Sequence, residues 1–402
     1  MKIAQVNVYF KPFMVGGAEW YVYNISKQLV KMGHEVHVYT AKKYGGQEEK
    51  SEEIIDGIHV HRFPFKIDWT YRLKVWDGLK QSLSSGSFDI IHTYDYAQTH
   101  TSSALSVSKR LGIHSALTVF DIHSMIPRTW FKQVPMRIFE RFFAKGILDS
   151  ADSILVRAPT LVKPLTKLGI DNEKIIVTPS GINDESLGTF DGKAFLREHG
   201  INGSPVILFL GRLNPLKGPQ HLISVAPTLI KKYPNIAFIF VGADQSGYAD
   251  YLKELSRKLG VEKNVYLLGP IYEYVEKMKA YASCDVFALP TSYEGTSQAI
   301  FEAMSQARPI ISTNTGGIPF QIEDGKEGIL LPYGDNSQLL RSIERLVEDR
   351  DFASKLGNSA KEKVKAFRYS TLASELFRIY ESTVKGKLRQ TPEFESIPKP
   401  RR

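Results

Sequence analysis

At 402 residues, with 43% hydrophobic and 24% charged residues, the chain has globular composition and is long enough for two cores, which excludes a disordered or fibrous polymer. A formal net charge of +9 calls for an anionic partner: nucleic acid, a phospholipid surface or a phosphorylated ligand. The lone Cys284 and an opening without a basic-then-apolar signal fit a reducing, cytoplasmic compartment; apolar runs such as Ile236–Val241 fall far short of the roughly 20 residues that span a bilayer.

In chain order, KIAQVNVYF alternates as a strand, and GAEWYVYNISKQLVKMG places Val22, Ile25, Leu29 and Met32 at helical spacing before Gly33 stops the helix. HEVHVYT resumes alternation through Val36 and Val38, completing a β-α-β unit, and FDIIH and SALTVF read as further buried strands. After Ser180-Gly181 the pattern loosens until Pro205, and a second series opens with VILFLG. Its strands lie near Ile236–Val241, Val265–Leu268, Val286–Leu289 and Pro309–Thr313.

These elements predict an α/β fold of two Rossmann-like, doubly wound domains. The boundaries fall at 1–185 and 186–365, with a helix over 366–385 and a basic tail over 386–402 that lacks apolar periodicity and reads as mobile.

In an open parallel sheet ligands bind beyond the carboxyl ends of the strands, so the loops that leave strands are where chemistry is sought. After the first strand, Gly16-Gly17 precede a helix, where backbone amides can approach an anion; a plain turn explains the pair equally well. A dinucleotide reading is disfavoured, because Thr40, Ala41, Lys42 and Lys43 stand where an acid would hold a ribose.

GRLNPLKG sets Arg212 after Gly211 at a strand end and Lys217 before a helix; two cations there suit a departing diphosphate better than a solvated basic turn. GPIYEY follows another strand, and backbone groups around Ile271 can meet a base edge. In TSYEGTSQAIFEAMSQARP, Glu294 precedes a helix and Glu302 lies within it. Free amides near Gly295, Thr296 and Ser297 then suit an anion, and the two carboxylates suit sugar or ribose hydroxyls. Alone, Glu294 would be a dipole-favoured helix acid and Glu302 a solvated face.

With GGAE, GRLNPLKG and the two-glutamate helix followed by RPIISTNTGGIPFQIEDGKEGILL, the chain resembles glycosyltransferase family 4, retaining enzymes of the GT-B fold, over roughly Met1 to Thr383. The resemblance implies two domains facing a central cleft, an acceptor-side first domain and a nucleotide-sugar donor domain. It also implies a final helix, AFRYSTLASELFRIYESTV, that crosses back to the first domain.

By that resemblance Arg212 and Lys217 grip the donor diphosphate, Glu302 the ribose and Glu294 the transferred sugar, while Gly16-Gly17 close over the phosphates. The family mechanism retains configuration with no enzymic nucleophile; the two cations take the place of a metal ion, and no cofactor is expected. Members commonly carry a His near the sugar where this chain has Phe120, which leaves His123 as the nearby candidate.

The expected reaction moves a hexosyl group from a UDP- or GDP-sugar to a saccharide or lipid-linked hydroxyl. A nucleotide-sugar 2-epimerase and a non-catalytic nucleotide-sugar-binding protein are the alternatives. Asp349-Arg350-Asp351 spells a metal motif but sits in a charged helical region, and the pairs His59/His61 and His34/His37 lack further ligands, so no metal is expected.

Residues 128–147 mix Arg128, Lys132, Arg137, Arg141 and Lys145 with five aromatics. The plainer reading is a core-facing helix with a solvated basic side; the other is peripheral contact with the inner membrane face. No nucleic-acid recognition motif accompanies them.

Overall fold

The alternating opening segment becomes a central strand, buried on both faces, of a parallel sheet; Ile3, Ala4 and Val6 are fully buried. The computed structural model describes residues 1–14, 16–69, 73–126 and 130–386. They form two units, Met1–Gly181 with the chain from Tyr369 onward, and Ile182–Arg368. The tail from 387 lies outside the described residues.

The first unit holds β1 (Lys2–Val6), β2 (Glu35–Ala41), β3 (Lys43–Tyr44), β4 (Gln47–Glu48), β5 (Glu52–Ile55) and β6 (Ile58–Phe63). Then come β7 (Phe65–Asp68), β8 (Lys74–Trp76), β9 (Ile90–Tyr94), β10 (His114–Val119), β11 (Ser153–Val156) and β12 (Ile175–Val177). Eight of them make one sheet in the order β12-β11-β10-β9-β1-β2-β6-β5, parallel except for the β5–β6 hairpin. The strand order reverses direction between β1 and β9.

The helix Gly17–Lys31 buries Val22, Ile25 and Leu29, and Gly33 at φ 86 ends it, as the sequence predicts. The helix Tyr369–Val384 buries Leu372, Leu376, Ile379 and Tyr380 in the same unit, and the Tyr380 hydroxyl meets His92 Nδ1 at 2.5 Å.

In the β2–β6 register His37 faces His59, and His37 Nδ1 lies 2.8 Å from His61 Nε2. Glu35 and Glu52 bond the outer nitrogens of that pair. Among the described residues no group of three or more His, Cys, Asp or Glu is arranged to hold a metal. Asp349 is a helix cap, accepting from the Phe352 amide at 2.9 Å.

The core-facing reading of 128–147 holds for one face of its described part, but most of the described aromatics lie on the other face. Met136, Phe139 and Ile147 pack inward, but Trp130 is 77% exposed, Phe142 73% and Phe143 61%. The inward stripe is narrow because neighbouring elements cover only one side of this helix, which widens to a π turn over Glu140–Ala144.

The second unit holds β13 (Val206–Leu210), β14 (Ala237–Val241), β15 (Val265–Gly269), β16 (Val286–Leu289), β17 (Ile310–Thr313) and β18 (Ile329–Leu331). They form one fully parallel sheet in the order β15-β14-β13-β16-β17-β18, the Rossmann order, with its reversal between β13 and β16. The predicted strands of this half are all present; β18 is additional.

Candidate functional site

At a reversal of strand order the connections on either side run to opposite faces of the sheet, which opens a crevice above the two central strands. In the second unit the residues that leave β13 and β16 meet there. Gly218, at φ 77, brings its backbone so close to Pro290 that a Cβ would lie 1.9 Å from the Pro290 carbonyl oxygen. The Leu216 carbonyl accepts from the Ser292 amide at 2.7 Å and from the Thr291 hydroxyl at 2.9 Å, which sews the two loops together.

Asn214 caps the turn Pro215–Lys217, its Oδ1 accepting from the Lys217 amide at 3.0 Å, and so fixes where the lysine side chain departs. Lys217 Nζ forms an ion pair with Glu294 Oε2, the two side chains being 16% and 12% exposed. Glu294 is held through its backbone by the glycine pair after β17. The Gly317 amide donates to the Glu294 carbonyl at 3.0 Å, and Gly316, at φ 55, leaves no room for a Cβ against that oxygen. Arg212 is exposed and has no ion-pair partner among the described residues. Gly211 beside it is half-buried, its amide donating to the Val241 carbonyl at 3.0 Å.

The helix Gln298–Ser305 starts at Ser297, whose hydroxyl accepts from the Ile300 amide at 3.4 Å. The expectation of a free Ser297 amide is corrected: it donates to Gln321 Oε1 at 2.7 Å, while Gln321 Nε2 returns a bond to the Ser297 carbonyl at 2.8 Å. A fully buried glutamine must satisfy its amide group, and it does so on this backbone. Gly295 and Thr296 are half-buried, and their amides donate to no protein acceptor among the described residues.

Glu302 is neither solvated nor alone. It is 4% exposed, and Lys277, from the helix Tyr274–Ser283, donates to its Oε1 at 2.7 Å. Tyr281 on that same helix has its hydroxyl pushed well above its ordinary pKa, chiefly by burial and then by the Glu302 charge. Ile271 lies in the loop leaving the edge strand β15, half-buried against the core beside the 76% exposed Tyr272.

Gly16, Gly17 and His123 belong to the first unit, each beyond the carboxyl end of a strand. Gly16 is extended, at φ −164, and a Cβ on Gly17 would meet nothing within 4 Å, so the fold of the unit itself requires a glycine at neither. His123 is buried; its Nε2 lies 2.7 Å from Asp95 Oδ1, and its amide donates to the Tyr96 hydroxyl at 3.1 Å. Tyr96 in turn donates to Glu140 at 2.5 Å. Phe120 instead packs against Tyr94 and Tyr21, ring centroids 6.0 and 6.4 Å away.

Sequence reasoning missed Lys277, Gln321 and Asp95. Each bonds a singled-out residue from another element, and no local spacing signals such a pairing.

Two Rossmann-like α/β units, one with charged and glycine-bearing loops sewn together at its switch point, define a protein of the GT-B class. The family model for Glycosyltransferase Family 4 matches residues 15–186 and that for Glycosyl transferases group 1 matches residues 193–363. The chain belongs to the family 4-type glycosyltransferases.

It is 24% identical to the D-inositol 3-phosphate glycosyltransferase of Corynebacterium glutamicum, over 96% of this chain and 97% of the relative. It is 26% identical to an uncharacterized glycosyltransferase of Methanocaldococcus jannaschii, over 95% and 98%. Among solved structures it is similar to sucrose-phosphate synthase from Thermosynechococcus elongatus, with a TM-score of 0.79 at 19% identity, over 96% and 99% of the two chains. HepE of Anabaena, solved in complex with UDP, gives 0.76 at 20% identity, over 95% and 100%.

Proposed function

We propose that this glycosyltransferase moves a hexosyl group from a UDP- or GDP-sugar to a hydroxyl of a saccharide or lipid-linked acceptor, with retention of anomeric configuration. The observation that carries the reading is the Lys217–Glu294 pair joining the loops that leave β13 and β16, with Arg212 on the first of those loops and the amides of Gly295 and Thr296 on the second. HepE has been solved with UDP-glucose, and curated relatives bear the name D-inositol 3-phosphate glycosyltransferase; both support a sugar–nucleotide donor.

In the proposed step the acceptor oxygen bonds the anomeric carbon as the bond from that carbon to the diphosphate oxygen breaks. The acceptor proton passes to the leaving phosphate oxygen. Arg212, Lys217 and the amides of Gly295 and Thr296 stabilise the charge that develops there, each cation by about 3 kcal/mol, so that no metal is required. Glu294 accepts sugar hydroxyls, and Glu302, oriented by Lys277, accepts ribose hydroxyls. Gly16 and Gly17 are assigned to donor phosphate, Ile271 to the base and His123, oriented by Asp95, to the sugar.

The test incubates the purified chain with UDP-, GDP- and ADP-sugars and a panel of hydroxyl acceptors, and reads the products by NMR. Transfer with retained configuration is expected. An epimerised sugar, or binding without turnover, would overturn the reading.

A further inference from the structure

The helix Trp130–Phe139 and its extension Glu140–Ala144 are already fastened to the first unit by one face. Met136 and Phe139 pack into the core, and the buried Glu140 accepts from the Tyr96 hydroxyl and, at 3.0 Å, from the Ser124 amide. The other face is exposed. Trp130, Val134, Ile138 and Phe142, spaced four residues apart, are 77%, 45%, 51% and 73% exposed, and Phe143 beside them is 61% exposed. Phe142 and Phe143 open onto a groove of 650 Å³, which Leu105, Lys109, Arg110 and Ile147 also line.

Contiguous apolar exposure of this kind marks an interaction surface, and the surrounding charge selects the partner. Arg137, Arg141 and Lys109 are exposed and have no ion-pair partner among the described residues, while Lys145 is neutralised by Asp149. The helix Thr99–Leu111 across the groove carries no acid at all. A Trp and two Phe among unpaired cations fit a boundary that is apolar within and anionic at its surface. A protein partner would need acidic residues interleaved with an apolar groove.

We propose that this face docks on an anionic phospholipid bilayer, with Trp130, Ile138 and Phe142 entering the acyl boundary and Arg137, Arg141 and Lys109 meeting lipid phosphates. No described helix is long and apolar enough to cross a membrane, so the contact is peripheral. The inference is independent of the donor chemistry.

The full chain is floated with phosphatidylglycerol–phosphatidylcholine vesicles and with phosphatidylcholine vesicles alone, and Trp emission is read in both. Binding to the anionic vesicles, a blue shift, and loss of that shift in Trp130→Ser are expected. Arg137→Ala with Arg141→Ala is expected to weaken binding roughly twenty-five-fold, at about fivefold per charge. Phe142→Ser with Ile138→Ser abolishes flotation while thermal unfolding, monitored alongside, stays at the wild-type temperature. Equal binding to both vesicle types, no binding, or a self-association in sedimentation velocity that Phe142→Ser abolishes would overturn the proposal.

Discussion

Lys277 Nζ donates to Glu302 Oε1 at 2.7 Å, joining the helix Tyr274–Ser283 to the helix Gln298–Ser305 around a carboxylate that is 4% exposed. A glutamate so enclosed requires its partner, because an uncompensated buried charge is costlier than the pair.

Lys277→Met is therefore expected to lower stability by about 3 kcal/mol, and adding Glu302→Gln should restore most of it. Urea denaturation of the two variants measures this. A single variant as stable as wild type would remove the structural role assigned to the pair.

Arg212 behaves in the opposite way. It is exposed and unpaired among the described residues, so Arg212→Ala should leave stability within about 0.5 kcal/mol. Loss of one charge-stabilising donor should still slow turnover roughly a hundredfold. Thermal unfolding and steady-state rates, read on one preparation, separate the two effects.

The glycines divide in the same manner. At Gly316 a Cβ would lie 1.8 Å from the Glu294 carbonyl oxygen and the backbone is left-handed, so Gly316→Ala should destabilise by about 2 kcal/mol or more and displace Glu294. Gly17→Ala meets nothing within 4 Å at the start of a helix, and should leave stability unchanged or slightly raised. If Gly17 approaches a donor phosphate, this variant raises KM for the donor; an unchanged KM would withdraw Gly17 from the site.

His100 is 2% exposed, stacked on Trp76 at 4.8 Å, and burial pushes its pKa down to about 4. The unfolded chain, near the ordinary 6.5, binds the proton first. Its contribution is thus full above the unfolded value and lost as pH falls from there toward about 4. His92, pushed down to about 3 by burial and by Arg157, acts in the same direction. His100→Phe should flatten the acid limb of stability against pH by up to roughly 1.4 kcal/mol per pH unit. Urea midpoints taken across that range check it.

Much of the fold is legible in the sequence, since strand alternation and helical spacing are properties of a few consecutive residues. Val36 and Val38 mark their strand, and Leu372, Leu376, Ile379 and Tyr380 their helix, without reference to neighbours. The segments β11, β12 and β18 are short and carry little periodicity of their own. Of the site, Arg212, Lys217, Glu294 and Glu302 stand out because they flank strand ends and a helix start, places that local pattern identifies.

Their partners are another matter. That Lys217 meets Glu294, that Gln321 claims the Ser297 amide and that Asp95 holds His123 depends on where separate loops and helices come to rest. Each such contact is formed by packing and register across tens of residues, which no window of sequence encodes. The same holds for Trp130 and Phe142. The residue types announce an amphipathic helix, but how wide a stripe its neighbours cover, and so how much aromatic surface remains exposed, is a property of the assembled unit alone.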